Sequence, residues 1–227
     1  MNMRTLSLAA LTLLDVPPPE QVRIAARTGF THVGLRLLPA TPTDPDYDML
    51  GDTPAVRATL AALMETGIRV SDVEIVRLTP GFTLDDRLQR FMETAARLGA
   101  GQVLVAGNDD NLQRSADNLA ILAAAGRPFG LTMNLEPMPW TQLRNIAAAQ
   151  ALIAASGRED IGILWTLSIS GARENRSPPS PACPRIISTI CNSAMARRRG
   201  RRASRNLSAR PARRATCRGK AVWICMV

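Results

Sequence analysis

Residues 123–140 read AAAGRPFGLTMNLEPMPW. An alanine-rich, helix-like run turns at glycine, enters a short apolar strand, and that strand ends in a glutamate followed by two prolines. Alternation puts Thr132, Asn134 and Glu136 on one face of the strand and Met133 and Leu135 on the other, and Pro137 and Pro139 stop the sheet ladder. If both sheet faces are covered, a bare carboxylate is costly, so Glu136 is expected to be paired, protonated or metal-bound. The alternative is a strand-end Glu facing solvent.

The same junction recurs outward from this stretch. ARTGFTHVGLRL, METGIRVSDVEI, ARLGAGQVLVAG and AASGREDIGILW each close a helical run at glycine and enter a strand. The leading glycines, Gly29, Gly67, Gly99, Gly126 and Gly157, are spaced by 38, 32, 27 and 31 residues. A glycine that ends a helix just before a strand marks the αβ junction of a parallel α/β fold. Helix starts are expected at Pro17 to Pro19, at Thr53-Pro54 and at Thr83, and apolar spacing is helical, as in Leu60, Leu63 and Met64. A sixth strand is expected at Ile161 to Leu164. Units of this length repeated eight times give a (β/α)8 TIM barrel of about 250 residues, here incomplete at about five and a half βα units. An open doubly wound sheet is the alternative, but no G-x-G-x-x-G follows the first strand.

Polar residues fall where a barrel places its chemistry, at the strand ends. Arg36 ends GLRL, Asp72 and Glu74 share a face of SDVEI, Asn108 to Asp110 follow VLVAG, and Glu136 and Trp140 end the fifth strand. Arg36 suits either forked binding of an anionic substrate or a partnership with Glu74 inside the barrel. His32 begins its strand, the wrong end for catalysis, and reads as a surface residue.

Charge divides the chain. Up to Trp165 there are 14 arginines, no lysine and 18 acids, a net of −4; from Thr166 on, 13 arginines and Lys220 face Glu174 alone, a net of +13. The four cysteines, at 183, 191, 217 and 225, all lie in that second part. The first part therefore has neither a disulfide framework nor a thiolate metal site, which suits a reducing cytoplasm. MNMRTLSLAALTLL reads as a first strand and not a signal, and no apolar run reaches the roughly 18 residues that span a membrane.

With these residues in place, the chain from about Leu6 to Leu164 resembles the sugar phosphate isomerase/epimerase family with the xylose isomerase-like barrel. AARTGFTHVGLRL, the GNDDN turn and NLEPMPW followed by GIL carry the resemblance. It implies an isomerase or epimerase in which a divalent metal (Mn, Mg, Zn or Co) at the barrel mouth assists proton transfer on a small polyol, sugar phosphate or related hydroxy acid. Some relatives dehydrate shikimate-type acids or act on DNA. Glu136 matches the first metal ligand, Glu74 is a proton carrier or its partner, and Arg36, Asn108 and Trp140 are candidates to bind substrate. The remaining family ligands belong to an Asp-x-x-His segment after the sixth strand and to the last strands. Trp165-Thr166-Leu167 stands in place of the Asp, and no histidine follows, so metal binding is expected to be weak or absent and activity impaired.

Residues 166–227 read as an irregular, Arg-rich tail separate from the barrel at 1–165. Its composition is that of a GC-rich gene read out of frame. With one base restored near codon 164, WTLSIS allows V-D-[TASP]-[LFIV]-H-F, and ISTICNSAMA allows [YHN]-[LFI]-H-Y-[LM]-Q-[FL]-C-D-G. RGKAVWICMV allows G-E-G-G-L-D-L-Y-G, with its D and final G forced. The three strings resemble the family's missing ligand strand, its next strand and its late glycine-rich loop, in order and in one frame. A barrel cut there is expected to leave strand edges unpaired. The rival function is a nucleic-acid-binding protein that uses Arg197 to Arg202 on phosphates, nonspecifically, with Trp223 alone for stacking. Zinc on the C-x7-C pairs is disfavoured because the tight knuckle spacing is missing.

Overall fold

A computed structural model describes residues 5–165, 186–191 and 223–226. The strands are β1 (Leu6–Leu8), β2 (His32–Arg36), β3 (Arg69–Leu78), β4 (Gln102–Gly107), β5 (Thr132–Leu135), β6 (Gly162–Trp165), β7 (Ile186–Cys191) and β8 (Trp223–Met226). Between the first six run helices α1 (Pro18–Arg27), α2 (Pro54–Thr66), α3 (Asp86–Arg97), α4 (Leu112–Gly126) and α5 (Ile146–Ser156). All pairings are parallel and follow chain order. Strands β1 to β6 with their five helices are thus the five and a half βα units of a TIM-barrel fold.

The tail differs from the expected unpaired edges. Strand β7 pairs with β6, β8 pairs with both β7 and β1, and the strand order closes into a barrel. IISTIC carries three Ile and a Thr, and WICM a Trp and an Ile, residue types suited to a strand. Thr166, Arg197 to Arg202, Cys183 and Cys217 lie outside the described residues, and with them the expectations that rest on the Arg run and the cysteine pairs. Among the described residues no helix is long and apolar enough to cross a membrane.

Local signals explain the helices, with three corrections. Pro18 opens α1, and the Thr53 hydroxyl accepts from the Val56 amide at 3.1 Å to cap α2. Helix α3 begins later than Thr83, because the Asp85 carboxylate takes the Leu88 amide at 2.9 Å and outcompetes a hydroxyl two residues upstream. Gly126 does not make the fourth turn. It closes α4, and a short 3-10 turn through Pro128 hands the left-handed position to Gly130 at φ 69°. Gly126 instead lets the helix approach the sheet, since a Cβ there would run into Met133 Cε. Finally, Met64 is exposed, and α2 buries Val56, Thr59 and Ala62.

The main core lies between helices and sheet and includes Val33, Leu35, Val73, Val103, Met133, Leu135, Phe91 and Leu119. A second, smaller cluster, Ala9, Ile75, Leu104, Ala106, Met138 and Leu164, sits on the opposite face of the strands, inside the barrel. Many apolar strand residues pack outward, and the inner face is shared between Ile75, Leu104, Ala106 and Leu164 and the polar residues of the strands.

Candidate functional site at the barrel mouth

Strand β3 supplies the most polar groups because its register slips twice. Val33 and Gly34 of β2 face Val70 and Asp72, and Val103 and Val105 of β4 face Val73 and Val76, so β3 carries an extra residue at each place. Such bulges re-aim side chains beside functional sites. With Val70, Val73, Val76 and Leu78 packed outward, Asp72, Glu74, Ile75 and Arg77 are left on the barrel side.

Arg36, across β2 from Glu74, is held by carboxylates. Its Nη1 donates to Asp44 Oδ2 at 2.9 Å, and its Nη2 lies 3.5 Å from Glu74 Oε1. Asp44 comes from the loop after β2 and also accepts from the Thr41 hydroxyl and the Ala40 amide, which hold its carboxyl below the usual range. Burial raises the Glu74 carboxyl despite Arg36. Of the two roles open to Arg36, the structure therefore shows the ion pair with Glu74.

Asp72 is buried, and among the described residues no cation pairs with it. The Ser71 hydroxyl donates to it, Ser7 Oγ stands 2.6 Å from Ser71 Oγ, and burial pushes the Asp72 carboxyl up to about 7. Gly34 makes room for it.

Glu136 is the first residue past β5 and is partly exposed. Its amide donates to Val105 O at 2.9 Å, which fixes the backbone at the mouth. Burial of the carboxylate raises its pKa to about 7; the charges of Glu74 and Asp72 add to the rise, and Arg77 and Arg36 oppose it. Strand β5 thus brings Glu136 into the electrostatic neighbourhood of the β2 and β3 groups.

The other candidates separate. Asn108 Oδ1 accepts from Arg77 Nη1 at 3.2 Å, so it acts on a side chain at this mouth. Its neighbours in GNDDN are structural: Asp109 takes a two-pronged bond from Arg114 at 2.6 Å and Asn111 caps α4. That pairing holds the Asp109 carboxyl down at about 2. Trp140 is 76% exposed on a loop pinned by Met138 N to Leu143 O and Leu143 N to Gly107 O. His32, at the far end of its strand, contacts the Thr31 hydroxyl. Arg77 was not singled out in the sequence; its signal was its place five residues beyond Asp72, hidden by the bulges.

A divalent metal does not fit these residues. Among the described residues no three His, Cys, Asp or Glu side chains are grouped so as to hold an ion. Glu74 is engaged by Arg36, Asp72 by Ser71, and Glu136 alone leaves a site short of the several oxygen or nitrogen ligands a metal needs.

Comparison with known proteins agrees with the architecture. The family model described as xylose isomerase-like TIM barrel matches residues 22–168. No curated protein sequence matches the chain. Among solved structures, D-allulose 3-epimerase from Methylomonas sp. is 17% identical, with a TM-score of 0.64 over 84% of this chain and 73% of that one. The IolI protein with a bound zinc atom is 17% identical, with a TM-score of 0.60 over 82% and 72%. A xylose isomerase-like TIM barrel/4-hydroxyphenylpyruvate dioxygenase fusion protein is 18% identical with a TM-score of 0.63, and the chain, 82% of it matched, spans 31% of that protein's length. At these identities the likeness shows the fold.

Proposed function

The chain belongs to the xylose isomerase-like TIM barrel family, and from that premise we propose that its chemistry is proton transfer on a small polyol, sugar phosphate or related hydroxy acid, as in isomerases and epimerases. Relatives of this fold point to sugar isomerase/epimerase-type enzymes. The observation that carries the reading is Glu136, a carboxyl at the C-terminal mouth with a pKa of about 7. Such a group is half protonated at neutral pH and can both take and return a proton.

Glu136 as carboxylate takes the proton from the carbon beside a carbonyl. The C–H electron pair becomes the enediolate double bond, and the carbonyl pair moves to oxygen. Return of the proton to the former carbonyl carbon, with the hydroxyl proton passing from the neighbouring oxygen to the enediolate oxygen so that the carbonyl moves one carbon along, isomerises the substrate. Delivery of a solvent-derived proton to the opposite face of the original carbon, with the carbonyl re-formed in place and the first proton lost from Glu136 to solvent, epimerises it. Glu74, buried and tied to Arg36, is one of the neighbours that raise the proton affinity of Glu136. Trp140 offers an exposed ring to the apolar face of a sugar. Cytoplasm is the compartment we propose, consistent with a cysteine-free barrel segment over residues 1–165.

We also propose that turnover of the chain as written is impaired, because donors for a family-type metal are encoded one frame away beyond codon 164. The experiment is solvent deuterium uptake into ketose and aldose substrates, followed by NMR, for this chain, its E136Q variant and a gene with one base restored near codon 164. The restored protein is expected to exchange fastest and E136Q slowest. Equal exchange by E136Q and the parent chain removes Glu136 from the chemistry, and an immediate stop codon in the restored frame removes the frame reading.

A further inference from the structure

Two arginines stand at the barrel mouth, and their surroundings differ. Arg36 lies between Asp44 and Glu74, which absorb its charge. Arg77 is in none of the ion pairs among the described residues. It is partly exposed and, among the described residues, its side chain makes one bond, from Nη1 to the neutral amide oxygen of Asn108 at 3.2 Å. An amide oxygen orients a guanidinium without neutralising it, and Nε and Nη2 are left for a forked contact with a carboxylate or phosphate.

Strand register sets where that contact would be. Arg77 faces Ala106 of β4, and Val105 faces Leu135 of β5, so Ala106 in turn lies level with Glu136. Arg77, Ala106 and Glu136 therefore form one row across three adjacent strands. Arg77 and Glu136 sit two strand spacings apart, about 10 Å at the backbone. The residue between them is the smallest that carries a side chain, and Ala106 belongs to the cluster inside the barrel. The span suits a short hydroxylated carbon chain with an anionic group at one end.

We propose that Arg77, positioned by Asn108, holds the anionic terminal group, carboxylate or phosphate, of the substrate whose proton Glu136 moves. The substrate class narrows accordingly from sugars in general to anionic ones: sugar phosphates or sugar acids. The substrate half of this inference rests on the proton-transfer reading above; the anion subsite rests on the geometry of Arg77. It also assigns the GNDDN turn a job at the site, carried by Asn108.

The test is calorimetric titration of the full chain with xylitol 5-phosphate, xylonate, neutral xylitol and inorganic phosphate, repeated on R77Q, R77K and R90Q. Arg90 lies on the exposed side of α3 and reports any general effect of removing a surface cation. The parent chain and R90Q are expected to bind the phosphate ester and the acid at least tenfold more tightly than xylitol, and R77Q to lose that preference. R77K is expected to keep the charge but lose several-fold, because an ammonium cannot fork, and it decides the matter if R77Q does not fold. Which of the two anions binds more tightly identifies the terminal group. Inorganic phosphate bound through Arg77 with no gain from the polyol chain supports the anion subsite and sinks the polyol reading. An anion preference that survives R77Q, or no preference in the parent chain, overturns the proposal.

Discussion

Gly34 and Asp72 face each other across β2 and β3 so closely that a Cβ on Gly34 would lie 2.8 Å from Asp72 Oδ2. The obstacle is a buried carboxylate bonded by Ser71, not the free end of a flexible chain. G34A is therefore expected to destabilise the protein by about 1–3 kcal/mol, the usual range for overpacking. Urea unfolding of the two proteins checks it, and an unchanged midpoint would mean that Asp72 does not occupy this place.

Asp72 also sets a pH dependence of stability. Its carboxyl is raised to about 7 by burial, so the folded state holds a proton that the unfolded chain gives up near the ordinary carboxylate value. Stability from this group is full below about pH 4 and falls as pH rises toward 7, by an amount on the order of 1–4 kcal/mol. D72N should remove the Asp72 share of the slope, leaving that of Glu74 and Glu136, and gain stability relative to the parent at pH 8. Denaturant midpoints at pH 5 and pH 8 decide it; parallel pH profiles for the two proteins would count against a raised Asp72.

The arginines should separate in the same measurement. R36Q leaves Glu74 and Asp44 without their shared cation in a largely buried setting, a loss expected to cost about 3 kcal/mol. R77Q gives up one hydrogen bond to a neutral amide, expected at about 1 kcal/mol or less. Equal losses would show that the two guanidinium groups share the same kind of environment.

Helix punctuation and apolar alternation were enough to read the barrel, because both are local. Pro18, Thr53 and the glycines at 67 and 157 sit at helix ends as their chemistry requires. Alternation also placed Asn134 and Glu136 opposite Met133 and Leu135. What alternation cannot carry is a change of register. The two bulges in β3 broke the period of two, so Arg77 was overlooked and the neighbourhood of Asp72 could not be deduced. Nor can a residue type reveal its partner: Arg36 reads equally well as anion binder and as ion pair, and its contacts with Glu74 and with Asp44, eight residues on, come only from the fold. The tail hid its strands because their apolar runs are short and are separated by arginine, proline and serine without a repeat.

The account turns on the proton affinity of Glu136. Its carboxyl carbon can be followed by 13C NMR in glutamate-labelled protein, and the signal is assigned by its loss in E136Q. A midpoint near pH 7 is predicted, moving down in D72N, where one of the neighbouring negative charges is gone. A midpoint near the ordinary 4.5, unmoved by D72N, would place Glu136 in open solvent and contradict its role as the proton carrier of this barrel.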